Sequence, residues 1–198
     1  MPRPAFFKSL GFYVVEDFLE SSLCAEVCAE MEMSDAEKAT IVLTTGERRI
    51  DETIRKVRWT QVSERKALEI RKKLEDIRPK LEEHFGVNVV PDPLLNFLTY
   101  DVGSFYSLHC DNASPKLERR RISVTIFLND SSEEPEEGRY SGGKLALGGI
   151  EDPQWANCVF PLEAHAGLLV AFPSGLIHEV RPVTFGRRFT IVAWFLAE

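Results

Sequence analysis

Apolar positions in the second half of the chain recur on a short period that turn residues keep interrupting. Leu94–Tyr100, Phe105–His109, Arg121–Leu128, Lys144–Leu147, Asn157–Pro161, Gly167–Phe172, His178–Val183 and Phe189–Phe195 are brief β-rich segments, which predicts a β-sandwich or barrel. The first half runs on a longer period. Leu68, Leu74, Ile77, Leu81 and Phe85 recur at near-helical spacing with charges between them, predicting a helix over Glu64–Phe85. Pro79 lacks an N–H and clashes with the preceding turn, so a break near Arg78 is expected, and Gly86 then ends the helix. A second helix is expected over Ser21–Met33, starting near Ser22 with a serine cap. Residues 10–20 read as a strand running into a helix, and β-branched Thr40–Thr45 as extended. The polar run Asp130–Gly142 reads as a solvated acidic loop. The expectation is one mainly β domain over 1–198, with a helical support region over 1–90 and a β core over 91–198.

Composition narrows the functional classes. At 198 residues the chain can bury one sizeable core. Asp and Glu outnumber Lys and Arg by 31 to 24, giving a net charge of -7, the wrong balance for a protein that neutralises phosphates. Nucleic acid is not an expected partner. The first sixteen residues lack the apolar core of a signal peptide and no stretch reaches membrane-spanning length, so the expected location is the cytoplasm and no membrane partner is expected. Cys24, Cys28, Cys110 and Cys158 show no zinc-ligand spacing and read as buried free thiols.

Histidine is scarce. His84 sits at the end of the long helix, where a cation suits the helix dipole, and His165 precedes a turn. His109 and Asp111 form His-x-Asp. On an extended segment both side chains point to one side and Cys110 points away. His178 follows 67 residues later at the start of another expected strand. Two imidazoles and one carboxylate make the facial ligand set of non-haem Fe(II) oxygenases, which leaves coordination positions open. Alone, His-x-Asp also occurs in surface turns.

The surroundings are more specific. Tyr100-Asp-Val-Gly-Ser-Phe-Tyr-Ser-Leu-His-Cys-Asp111 resembles the prolyl-4-hydroxylase-like pattern Tyr-x2-Gly-x2-Tyr-x2-His-x-Asp of the Fe(II)/2-oxoglutarate dioxygenases. Arg121–Asn129, Gly142-Gly-Lys-Leu145, Gly167–Pro173 and His178-x3-Pro-Val-x2-Gly-x-Arg188 resemble the later blocks of the family, in order, over about residues 94–198. The resemblance implies a double-stranded β-helix, also called a jelly roll or cupin-like fold. It implies Fe(II) held by His109, Asp111 and His178, 2-oxoglutarate as cosubstrate, O2, and ascorbate as a further candidate. It assigns Arg188 to the far carboxylate of 2-oxoglutarate, a role that suits a planar guanidinium. A register slip of one would give that role to Arg187. Tyr100 and Thr190 are candidates for the cosubstrate site, and Tyr106 and Trp194 for the iron pocket, with core packing as the alternative for each. Phe127 stands where some relatives carry a tyrosine that reaches the far carboxylate, and it cannot do so. Asp111 is present, unlike in halogenating relatives, so hydroxylation or desaturation is implied.

The substrate is not named by any motif. Arg58 and Trp59, within Ile50–Gln61, and the loop after Asp111 are candidates for the substrate entrance. The resemblance implies a prolyl residue of a peptide or protein, or an amino-acid-like small molecule, as target. Two other readings are a nucleic-acid demethylase, which would carry arginine where Trp194 stands, and a non-catalytic jelly-roll binding protein. Oligomeric state is not legible.

Overall fold

The computed structural model describes residues 4–148 and 158–198. Two mainly antiparallel sheets face each other. The larger runs Tyr13–Val15, Leu169–Pro173, Arg120–Phe127, Arg188–Leu196, Leu94–Tyr100, Arg58–Thr60 and Glu37–Lys38 in spatial order. The smaller runs Val159–Pro161, Leu145–Gly148, His178–Val180, Phe105–His109 and Arg55–Lys56. This is the expected jelly roll. A parallel pairing of Ser131–Ser132 with Tyr140–Gly142 closes the acidic loop, leaving Glu133–Arg139 exposed.

The large sheet is buried on both faces, and strand alternation explains how. On Arg188–Leu196, Phe189, Ile191, Ala193 and Phe195 pack outward with Ile122, Val124 and Ile126. Helices α2 (Ser21–Met33) and α3 (Glu64–Phe85) cover that face with Leu23, Val27, Ile70, Leu74 and Leu81. Each such fully buried aliphatic side chain contributes about 1.5–3 kcal/mol. The inner face, with Leu98, Tyr100 and Phe127, packs against Leu145, Leu147 and Val180 of the smaller sheet. Helix α1 (Pro4–Ser9), not expected from the sequence, inserts Phe7 into this second cluster.

Several expectations are corrected. Helix α3 runs unbroken through Pro79. The proline removes one backbone donor. Ile70, Leu74 and Leu81 anchor both halves of the helix on the sheet, and Arg78 pairs with both Glu75 and Glu82 across the site. Gly86 caps α3 as expected, at φ 64°. Helix α2 starts at Ser21 behind Glu20, without the expected serine side-chain cap. The expected His178–Val183 strand divides into His178–Val180 and Val183–Phe185, with Arg181 and Pro182 between them. In the 40–45 stretch only Ile41–Val42 is a strand. The first ninety residues also supply edge strands to both sheets. Asn157 of the expected Asn157–Pro161 strand lies outside the described residues. All four cysteines are free, but only Cys24 is fully buried. Among the described residues no helix is long and apolar enough to cross a membrane.

Candidate metal centre

His109 ends its strand directly opposite His178, which begins the neighbouring one. Asp111 follows just past the strand end, where its N–H donates to the Ser174 carbonyl at 2.9 Å. Nε2 of His109 lies 3.6 Å from one carboxylate oxygen of Asp111, and Nε2 of His178 lies 3.6 Å from the other. One ligand atom from each of the three side chains lies within 4.8 Å of the others, in the cleft between the sheets. Cys110 stays out of this set, although it reaches the outer cavity described below.

Each side chain is aimed by a second contact. Nδ1 of His109 faces the Ser107 carbonyl at 2.8 Å, and Nδ1 of His178 faces the Leu176 carbonyl at 2.9 Å. A carbonyl only accepts, so both Nδ1 atoms carry the proton and both Nε2 lone pairs are left for a metal. The Ser123 hydroxyl donates to Asp111 at 2.7 Å and contacts the Ser174 hydroxyl at 2.9 Å. Burial pushes His178 down to about 4, against the opposing charge of Asp111. Burial alone would raise Asp111, but the two imidazoles and the Ser123 hydroxyl hold it far below the usual carboxylate range. Near neutral pH the set therefore offers a carboxylate and a neutral His178, the forms that bind a divalent ion.

Tyr106 enters the site through a β-bulge. Val180 pairs with Tyr106 and His178 with His109, so three steps on one strand oppose two on its partner. Strict alternation would send positions 106 and 109 to opposite faces; the bulge turns both inward, and their rings stack at 3.5 Å.

Deeper in the cleft lies Arg188, fully buried and facing inward by alternation. Its guanidinium sits 4.6 Å over the Tyr100 ring and 5.2 Å over Phe127, which serves as a flat wall. One Nη donates to the Thr190 hydroxyl at 3.4 Å. Nε and the other Nη have no hydrogen-bond partner among the described residues. An unpaired buried cation is costly, and a carboxylate presented to that edge would satisfy it. Gly143 lets the neighbouring loop close over it, since a Cβ there would lie 3.1 Å from Cδ of Arg188. Arg187 faces the other way and pairs on the surface with Asp101 and Glu32. Two imidazoles with a carboxylate, beside a buried guanidinium with free N–H groups, fit an Fe(II) ion and a dicarboxylic cosubstrate.

The remaining expected residues divide. Tyr100, Tyr106 and Trp194 line the cleft, and Trp59 lines an outer cavity of about 770 Å³ that opens onto the metal set. Arg58 does not reach it; strand alternation turns it to Asp101, 2.7 Å away. Sequence reasoning missed Ser123, Ser174 and the buried Tyr140 beside Arg188; Arg55, 4.6 Å over Tyr106, and Arg120, 3.7 Å over Trp194, fall in the two stretches expected at the substrate entrance. Ser123 carried a signal, because it lies four residues before Phe127 and so on the same face.

The family model of the 2OG-Fe(II) oxygenase superfamily matches residues 95–196. A PKHD-type hydroxylase of Thermosynechococcus vestitus is 39% identical over 106 residues, covering 52% of this chain and 42% of that protein. One of Acaryochloris marina is 35% identical over 124 residues, covering 61% of this chain and 51% of that protein. The match thus spans about half the length of these relatives. A Pseudomonas putida prolyl-4-hydroxylase shares the fold at a TM-score of 0.74 and 22% identity, over 95% of this chain and 93% of that one. So does a prolyl hydroxylase from Trichoplax adhaerens, solved with a hypoxia inducible factor peptide fragment, at 0.69 and 23%, over 96% and 85%. With the model match spanning more than half its length, the chain belongs to the 2OG-Fe(II) oxygenase superfamily.

Proposed function

We propose that the chain is an Fe(II)- and 2-oxoglutarate-dependent dioxygenase. It hydroxylates an unactivated C–H of a prolyl residue or an amino-acid-like substrate, with succinate and CO2 as co-products. The observation that carries this is the convergence of His109, Asp111 and His178 within 4.8 Å beside the unpaired edge of Arg188. The prolyl target is carried over from the printed names of the two solved structures. Residues 1–90 support, and residues 91–198 carry, a single catalytic unit.

When bound, Fe(II) with 2-oxoglutarate supplies the O2-dependent oxidation, chemistry no side chain can perform. The chain does the rest. His109, Asp111 and His178 would hold the Fe(II), and three protein ligands would leave coordination positions for cosubstrate and O2. Arg188, flanked by Tyr100 and Thr190, would hold the far carboxylate of 2-oxoglutarate through its unpaired N–H groups and so orient the cosubstrate. Leu98, Val180 and Val192 keep the cleft apolar around these groups, which limits water at the reacting centre. Tyr106 and Trp194 wall the side from which substrate arrives.

Anaerobic titration of the apoprotein with Fe(II) and 2-oxoglutarate tests this reading. A weak visible metal-to-ligand charge-transfer band is expected, and it should vanish in Asp111→Ala. Well-folded protein without the band rejects it. Turnover assays would include ascorbate as an added reductant.

A further inference from the structure

Four residues that line the outer cavity each carry a buried side-chain atom with no hydrogen-bond partner among the described residues: Nε of Arg55, Nε1 of Trp59, Oγ of Ser114 and Nε1 of Trp194. Three of them are obligate N–H donors. Buried donors are normally satisfied, so unpaired ones on residues around one cavity call for an explanation, and an acceptor-bearing ligand taken up there supplies one.

Arg55 is the charged member. It is 8% exposed, and one Nη donates to the Thr40 carbonyl at 2.9 Å. The opposite edge, Nε with the second Nη, has no partner among the described residues. That edge is the fork a carboxylate grips with two parallel bonds. No carboxylate pairs with Arg55 among the described residues; the ring of Tyr106 is its main neighbour, and Tyr106 stacks on His109. Arg48 and Arg120 line the same cavity, and Arg120 lies 4.0 Å from Asp111. The carboxylates in the lining are Asp92, already paired with Arg71, and Asp111 of the metal set. The lining thus holds four arginines against two carboxylates; Arg71 pairs with Asp92 and Arg120 with Asp111, which leaves Arg48 and Arg55 without a carboxylate among the described residues.

We propose that Arg55 is a specificity residue that binds a carboxylate of the substrate through its Nε–Nη edge, so that the chain selects targets carrying an acidic group near the carbon to be oxidised. The proposal rests on the oxygenase reading above. A peptide's acidic side chain and the α-carboxylate of a free amino acid offer the same chemistry.

The test uses full-length protein loaded anaerobically with Fe(II) and 2-oxoglutarate. One arm measures enrichment from a synthetic library of proline-centred, end-blocked peptides in which each Asp or Glu member has an Asn or Gln twin. The other arm titrates free amino acids against their α-amides by NMR. In at least one arm, acids should bind about tenfold or more better than their amide twins, the effect of one charge-assisted pair. Arg55→Gln should flatten the preference while the charge-transfer band remains, and Arg55→Glu should turn it toward Lys- or Arg-bearing ligands. Preference in the peptide arm assigns a side-chain carboxylate, and preference in the other arm an α-carboxylate. A band without acid preference in either arm, or a preference that survives Arg55→Gln, overturns this proposal alone. No band in the unmodified protein removes the oxygenase reading, and this proposal with it.

Discussion

Arg188 and Arg55 are guanidinium groups buried in one cleft, each with an unpaired edge, but the chain holds them in different ways. Arg188 stands on a nine-residue strand hydrogen-bonded on both sides, to Leu94–Tyr100 and to Arg120–Phe127. Two aromatic rings and a loop closed by Gly143 leave it no freedom. Arg55 stands on a two-residue strand at the edge of the smaller sheet, hydrogen-bonded to one neighbour. Moving Arg188 would break two ladders; moving Arg55 would break one short pairing. The difference suits their proposed ligands. A cosubstrate must arrive in one orientation every cycle, whereas an edge strand can adjust to a bulkier substrate.

The metal set lies on the central side with Arg188, and the largest effects should appear there. His178→Ala should abolish iron binding while native circular dichroism persists. The loss should exceed the 10–100-fold expected when only an orienting partner is removed. Unchanged iron affinity would break the assignment. Next, Arg188→Met should weaken 2-oxoglutarate binding by about 2–5 kcal/mol, the scale for losing a desolvated charge partner, read by titration of the charge-transfer band. Arg187→Ala should change it little, since its pairs with Asp101 and Glu32 are exposed, with side-chain exposures of 38–54%, and such pairs contribute about 0–1 kcal/mol. The opposite result would mean that the cosubstrate site is displaced by one register. Ser123→Ala removes the hydroxyl that aims Asp111 and should weaken iron binding about 10–100-fold without touching Arg188.

The two sides of the cleft were not equally legible in the sequence. Long central strands advertise themselves through alternation. Placing Arg188 inward fixes Thr190 and Trp194 on the same face, which is where they lie. Positions 109 and 111 do meet as expected, but the strand ends at His109 and Asp111 is brought in by the turn beyond it, not by strand alternation. The entrance was harder to read, for physical reasons. A two-residue strand such as Arg55–Lys56 has no period to detect, and of the basic residues in that stretch Arg58 turned outward while Arg55 turned in. The bulge that brings Tyr106 beside His109 arises from pairing with His178–Val180, distant in the chain, so no local pattern announces it. Pro79 misled because a local rule, that proline breaks helices, was outweighed by the packing of α3 on the sheet.

That last case yields the smallest effect and a test of how independent the two sides are. Pro79 leaves the Glu75 carbonyl without its helical donor and crowds the turn, a cost of about 3 kcal/mol in a helix interior. Proline also restricts the unfolded chain, which returns about 1 kcal/mol to the folded state. Pro79→Ala should therefore stabilise the protein by a net of about 1–2 kcal/mol, raising Tm by roughly 2–8 °C for a chain of this size. Helix α3 lies under the outer face of the large sheet, against Ile191 and Phe195, which alternate with the inward-facing residues of the Arg188 strand. If that strand is already fixed by its two ladders, the stiffer helix should leave 2-oxoglutarate affinity unchanged. A higher Tm with altered affinity would show that the Arg188 side still had slack for α3 to remove, and the contrast with Arg55 would shrink accordingly.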